Sequence, residues 1–234
     1  MAERDVAAFY RENPRMISSP FGGVDGIDAE LFRWALSEVA VSFAGKRVLD
    51  IGCGRGFAGE VIEADGGRYT GVDFVASGKG FSLVLGDAGR LPFADGSFDA
   101  ALCLDAFEHF PDPDASAAEF RRVLKNDGVL FLSAPNYSNV AGLVKRLCEF
   151  TGSYEKDTWA PFGRLQPQEL EQRLTTGRVR DIFRGAGFGK IWYRGYPREV
   201  GLGIFPWLDH PKTPDAIRFR LQRLFNALGP AFVR

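Results

Sequence analysis

Hydrophobic positions along the chain alternate between two periods. Residues 28–43 place Leu31, Phe32, Ala35, Leu36, Val39 and Ala40 on one helical face. Val48, Leu49 and Ile51 around Asp50 then form a short run of buried-strand type, and Ala58 to Ile62 continue as a helix. Tyr69–Asp73 and Leu83–Leu85 give two more strands, each running into an acid, Asp73 and Asp87. A fourth strand runs from Ala100 to Asp105. Residues 114–124 repeat the helical pattern with Ala117, Ala118, Phe120, Val123 and Leu124. Asn126-Asp127-Gly128 reads as a turn into the apolar run Val129–Ala134. Strands alternating with helices imply an α/β fold with a doubly wound parallel sheet, whose sites lie at the strand carboxyl ends.

After Pro135-Asn136 the alternation breaks. Residues 137–180 hold Tyr137, Tyr154, Trp159, Phe162 and a helix-like stretch from Pro167 to Leu174. Val179–Gly187 has the pattern of a helix running into Phe188, and residues 200–205 form a further apolar run, weakened as a strand by two glycines.

Glycine occupies every second position of Gly52-Cys53-Gly54-Arg55-Gly56, directly after the first strand. Such spacing lets backbone turn sharply and approach a ligand, with the next helix pointing its free amides at the same place. A dinucleotide fingerprint would need glycine at 57 or a clean G-x-G-x-x-G from Gly54; residue 57 is Phe57, and Gly56 intrudes on the other count.

Asp50-Ile-Gly-Cys-Gly-Arg-Gly56 instead resembles the E/D-x-G-x-G-x-G signature of class I S-adenosylmethionine (SAM) methyltransferases. Leu91-Pro-Phe-Ala-Asp-Gly-Ser-Phe-Asp99, followed by Glu108-His109, is similar to the corresponding block of the ubiquinone/menaquinone-type members. The likeness runs from about residue 46 to 136, and more weakly to about 195. It implies a Rossmann-like, mostly parallel seven-stranded sheet with helices on both faces and an insertion before strand six. The whole chain, 1–234, is then one domain: a helical cap over 1–45, a SAM-binding core over 46–136, a substrate-covering insertion over 137–180, and last strands with a basic helix over 181–234.

The resemblance also assigns roles. Gly52, Cys53, Gly54 and Gly56 lie under the amino acid and ribose of SAM, with Asp50 helping to hold the ammonium. Asp73 accepts the ribose hydroxyls and Phe74 packs on the adenine. Asp87 accepts the adenine amino group, and the Ala88 amide faces a ring nitrogen. Leu104 and Asp105 complete the set near the methionine end. A turn at Asp87-Ala88-Gly89 is an equally ordinary reading of that acid. Cys53 reads as a space-filler. Tyr10 and Arg15, in the segment Phe9–Arg15, are further candidates for the cofactor carboxylate.

Methyl transfer depends chiefly on alignment, since the sulfonium carries its own leaving group. An acidic nucleophile also needs a proton removed. His109 is the candidate base, and a role capping the Phe110-Pro111 turn is the alternative. Asp105 and Glu108 are weaker candidates. Asp105–Glu108 stands where the amino-methylating DNA and glutamine enzymes carry Asn/Asp-Pro-Pro-Tyr, which points to a small-molecule acceptor methylated on oxygen, carbon or nitrogen. A lipid or quinone precursor at a membrane, and a non-catalytic SAM-binding subunit, stay open. With His109 and His210 as the two histidines, no metal set is expected.

Composition adds the partners. The chain carries 29 basic and 30 acidic residues, but residues 177–234 hold 11 Lys/Arg against Asp181, Glu199, Asp209 and Asp215. There Ile217, Leu221, Leu224, Phe225 and Leu228 share one helical stripe, with Arg218, Arg220 and Arg223 off it. Packing on the domain, a homodimer or peripheral membrane contact all fit this stripe. Spread arginines do not favour nucleic acid. The apolar runs fall short of about 20 residues, the start carries no signal pattern, and Cys53, Cys103 and Cys148 form no framework, so a cytoplasmic enzyme is expected.

Overall fold

The computed structural model describes residues 41–75, 81–138, 140–153 and 170–193, with Val6, Ala8, Glu12 and Arg220 as isolated positions. The chain divides into two compact units: Met1–Ala134 with Ile182–Phe188, and Pro135–Asp181 with Gly189–Arg234.

The first unit is built on a five-stranded parallel sheet. Its strands are β1 (Arg47–Ile51), β2 (Arg68–Asp73), β3 (Leu83–Leu85), β4 (Phe98–Leu104) and β5 (Leu124–Ser133), in the order β3-β2-β1-β4-β5. Every pairing is parallel, so all five carboxyl ends reach one edge. Helix α1 (Phe57–Ala64) joins β1 to β2, and α2 (Pro113–Val123) joins β4 to β5. Val48, Ala100 and Leu102 pack with Ala58 and Ile62 of α1, with Tyr69 and with Phe43. Leu49, Ala101 and Cys103 point the other way by the strand period of two, and they too are buried, so both faces are covered. Phe107, Phe110, Phe120 and Phe183 form an aromatic cluster with ring centroids 5.1–6.3 Å apart, tying α2 to the end of α4 (Thr176–Gly185).

Three expectations need correction. Five strands are described against the seven expected: at the sixth position residues 189–193 form no ladder, and Trp192 and Tyr193 are exposed there. The seventh candidate at 200–205 lies outside the described residues. Asn126-Asp127-Gly128 is no turn into a separate strand but an irregularity inside β5: Phe98 pairs with Leu124 and Ala100 with Val129, so three extra residues bulge out. Of the stretch Pro167–Leu174, residues 170–174 are not helical; α4 begins at Thr176. Residues 28–40, the segment Phe9–Arg15 apart from Glu12, and the C-terminal stripe also lie outside the described residues, although Arg220 is helical.

The block Leu91–Asp99 is held as framework. Arg122 of α2 donates to the carbonyls of Leu91 (3.0 Å) and Phe93 (2.8 Å), to Asp95 (2.7 Å) and, through two nitrogens, to Glu119 (2.7 Å each). Glu119 in turn accepts the Leu91 amide at 2.7 Å. Asp99 accepts the Arg47 amide at 2.9 Å and a bond from Lys125. Helix α2 starts at an Asp112 cap that accepts the Ala115 amide at 2.9 Å, with Pro113 in its first turn and Arg121 and Arg122 in its last.

In the second unit, α3 (Val140–Phe150) is turned inside out. Leu143, Leu147 and Phe150 are exposed, whereas Lys145 is fully buried. The inward face is satisfied by charge: Lys145 lies 3.4 Å from Glu149 and 5.6 Å from the Tyr137 ring centre, Arg173 lies 3.7 Å from Glu149, and Tyr137 donates to buried Glu171. Among the described residues no helix is long and apolar enough to cross a membrane.

Candidate functional site

Where β1 leaves the sheet, the chain makes three left-handed residues in alternation: Gly52 (φ 72°), Gly54 (φ 53°) and Gly56 (φ 76°). Only glycine takes such angles without strain. The loop is drawn down onto β2, since the amides of Gly52 (2.9 Å) and Cys53 (3.3 Å) both donate to the Val72 carbonyl. Gly56 caps α1, which leaves the amides of that helix's first turn beside the loop. Space is scarce behind Gly52: a Cβ there would lie 2.5 Å from the Ala106 methyl and 3.6 Å from the Phe110 ring.

Asp73, the last residue of β2, reaches back to the loop. One carboxylate oxygen accepts the Gly54 amide at 2.8 Å and the other accepts Val75 at 3.2 Å. Burial raises its pKa, and these backbone bonds oppose the rise. A carboxylate has about four acceptor positions, so these backbone bonds leave acceptor capacity for a ligand. Phe74 beside it is half-buried.

At the end of β3, Asp87 is exposed and accepts the Gly89 amide at 2.8 Å, while its carbonyl accepts Arg90 at 3.0 Å. The residue therefore forms a tight turn and still stands at the carboxyl edge with buried Ala88. Asp105, after Leu104 at the end of β4, is the one non-glycine with positive φ (48°) among the described residues. Its carboxylate accepts the Ser133 hydroxyl at 2.9 Å, and its amide donates back to that hydroxyl at 3.0 Å. Strained backbone of this kind persists where neighbours over-determine it, and sites are its usual location. His109 closes a short 3-10 turn, Phe107–His109, with Nε2 3.7 Å from Oε1 of buried Glu108.

Gly52–Gly56, Asp73, Phe74, Asp87, Ala88, Leu104 and Asp105 thus share one edge of the sheet. Asp50 does not open onto it. Its carboxyl is 2% exposed, lies below the loop and accepts the Tyr69 hydroxyl at 2.8 Å. Burial pushes Asp50 up to about 7 despite that bond, with Asp73 adding repulsion. Cys53 is buried against the same group, and burial raises its thiol pKa further out of reach of chemistry. Tyr69 and Ser133 carry no local signature: each sits within a strand, and their partners lie 19 and 28 residues away in the chain. Among the described residues no three His, Cys, Asp or Glu side chains converge as a metal site.

This arrangement has relatives. A family described as "Methyltransferase domain" matches residues 49–132. The ubiquinone biosynthesis O-methyltransferase of Dechloromonas aromatica is 31% identical over 160 residues, covering 56% of this chain and 69% of that one. Against two further relatives of the same name, the chain spans 56% and 45% of their length. Among solved structures, a SAM-dependent methyltransferase from Mesorhizobium loti has a TM-score of 0.54 at 18% identity, covering 81% of this chain and 96% of that one. The [4+2]-cyclase SpnF has a TM-score of 0.59 at 17% identity, covering 97% and 88%. At such identities the structural likeness speaks for the fold.

Proposed function

The chain belongs to the class I SAM-dependent methyltransferases of the ubiquinone type, and on that premise we propose that it methylates a hydroxyl of a small organic acceptor, leaving S-adenosylhomocysteine. The observation that carries this reading is the glycine loop: three left-handed residues backed by Asp73 through Gly54, at the edge where all the strands end. Choice of oxygen rests on the relatives' name, and a quinone precursor is the acceptor class that name favours.

SAM, when bound, supplies an electrophilic methyl on a positively charged sulfur. The chain's own residues then have separable tasks. The backbone of Gly52, Gly54 and Gly56 offers amides and room where a Cβ would collide. Free lone pairs of Asp73 hold a ribose diol, Phe74 supports the adenine, and Asp87 and the Ala88 amide read its edge. Leu104 and Asp105 bound the reacting end, Asp105 being locked by Ser133. His109 accepts the acceptor's proton, a task worth about 10²–10⁴ in rate.

Thermal unfolding with excess SAM, S-adenosylhomocysteine or NAD tests this. A ligand at about 100 times its Kd adds roughly 2.7 kcal/mol, a rise in Tm of about 5–11 °C at this chain length. A rise with the SAM pair is expected. A rise with NAD instead overturns the assignment of the loop. Turnover is a separate measurement: SAM binding without methyl transfer to any member of a catechol and phenol panel overturns the catalytic reading and leaves a SAM-binding subunit.

A further inference from the structure

Asp50 is a buried carboxyl that no cation balances among the described residues. Its neighbours are Tyr69 from β2, Asp73 at the end of β2, Cys53 in the loop and Cys103 from β4, all neutral or acidic. Among the described residues no lysine, arginine or histidine pairs with it. A fold rarely buries an acid this deeply without a partner. Two features say where the partner comes from. Asp50 lies directly under Gly52–Gly56, which is bonded to the end of β2 through Val72, and a second acid, Asp73, grips the same loop through Gly54. The floor of the cradle therefore holds two acids and a neutral phenol whose hydrogen bond is stronger to the ionised state of Asp50 than to the protonated one.

We propose that Asp50 and Tyr69 form a proton-linked floor under the loop, so that binding the cationic cofactor expels more of a proton than binding its uncharged-sulfur product does. This rests on the reading of the loop as a SAM site. A cation above the loop favours ionised Asp50 and drives its proton to solvent, while Tyr69 steadies the resulting carboxylate by its hydrogen bond. S-adenosylhomocysteine keeps the ammonium and carboxylate but lacks the sulfonium charge, so it pulls less on Asp50. Tyr69 is then a positioning residue: it touches no ligand and acts through Asp50. The free acid sits near neutrality, which places the linkage just below pH 7. The sign follows. Below that value Asp50 is protonated in the free protein, so SAM affinity climbs with pH and levels off above about 7.

The test is titration calorimetry of the whole chain with SAM and with S-adenosylhomocysteine, slightly below pH 7, in two buffers of different ionisation enthalpy. Expected is release of most of one proton with SAM and clearly less with the product. The ratio of the two affinities should rise with pH by up to about tenfold per unit, the limit for one proton, and flatten above neutrality. Asp50→Asn removes both effects. Tyr69→Phe keeps the acid but loses the bond to its ionised form, so the rise should move to higher pH; a merely structural tyrosine would weaken both ligands equally and leave the window in place. Equal proton release for the two ligands, or none with SAM still bound, overturns the proposal and leaves the methyltransferase reading standing. Failure of both ligands to bind the wild-type chain overturns the two together.

Discussion

Replacing Gly52 by alanine separates two costs that the loop combines. The first is conformational. At φ 72° an alanine loses about 1–2 kcal/mol relative to its preferred angles. The second is steric. The new methyl would lie 2.5 Å from the Ala106 methyl, closer than any real contact, so the chain after β4 must move or the loop must lift. Overpacking of that kind costs about 1–3 kcal/mol. Together they give about 2–5 kcal/mol, a fall in Tm of roughly 4–20 °C for a chain of this length. Gly96→Ala is the control: its φ is 61°, nothing lies within 4 Å of its virtual methyl, and it should show the conformational part alone. Ala106→Gly supplies the second control, because it removes the obstacle. In a double-mutant cycle the pair Gly52→Ala and Ala106→Gly should recover about 1–3 kcal/mol of the loss. Thermal unfolding of the free chain reads all four proteins. If Gly52→Ala costs no more than Gly96→Ala, or if Ala106→Gly recovers nothing, the close approach of the loop to the end of β4 is wrong.

Other expectations follow from single contacts. Arg122→Met keeps the side-chain stem but removes the bonds to Leu91, Phe93, Asp95 and Glu119; with partial solvent screening the loss should be about 2–4 kcal/mol, and a loss below 1 kcal/mol in urea unfolding would make the hub ornamental. Arg122→Lys should restore less than half, because an ammonium cannot reproduce the fork. Asp73→Ala deletes the Gly54 anchor together with the ribose contacts, so calorimetry should show SAM affinity reduced about 100-fold; unchanged affinity would detach Asp73 from the site. His109→Ala should lower kcat about 10²–10⁴-fold with cofactor affinity preserved, and activity within a few-fold of the wild type would remove His109 as the base. Acidification should destabilise the chain through Asp99 and Glu119, whose pKa values are lowered by Lys125 and Arg122; their contribution is present above the ordinary carboxylate range and is lost as pH falls below it. Glu119→Gln should flatten that acid limb in a pH series of Tm values.

Much was legible because it depends on local rules. Buried runs such as Val48–Ile51 and Ala100–Cys103 declare strands by composition, and alternating glycines after a strand declare a left-handed loop whatever surrounds them. Asp112-Pro113 announces a helix start in the same way. A parallel sheet then sends all the strand ends to one edge, so Asp73, Asp87 and Asp105 could be gathered from sequence order. What the chain order could not reveal is which way a side chain turns once it arrives. Asp50 belongs to the signature, yet tertiary packing puts it under the loop, against Tyr69. Asn126-Asp127-Gly128 carries every mark of a turn, yet β4 offers a ladder on both sides of it, and pairing keeps β5 in one piece with a bulge. The polar inward face of α3 inverts the usual rule because Glu171, Tyr137 and Arg173 are folded against it. Periodicity records what each residue prefers on its own, whereas burial, pairing and charge balance depend on partners tens of residues away, and those only the folded chain brings within reach.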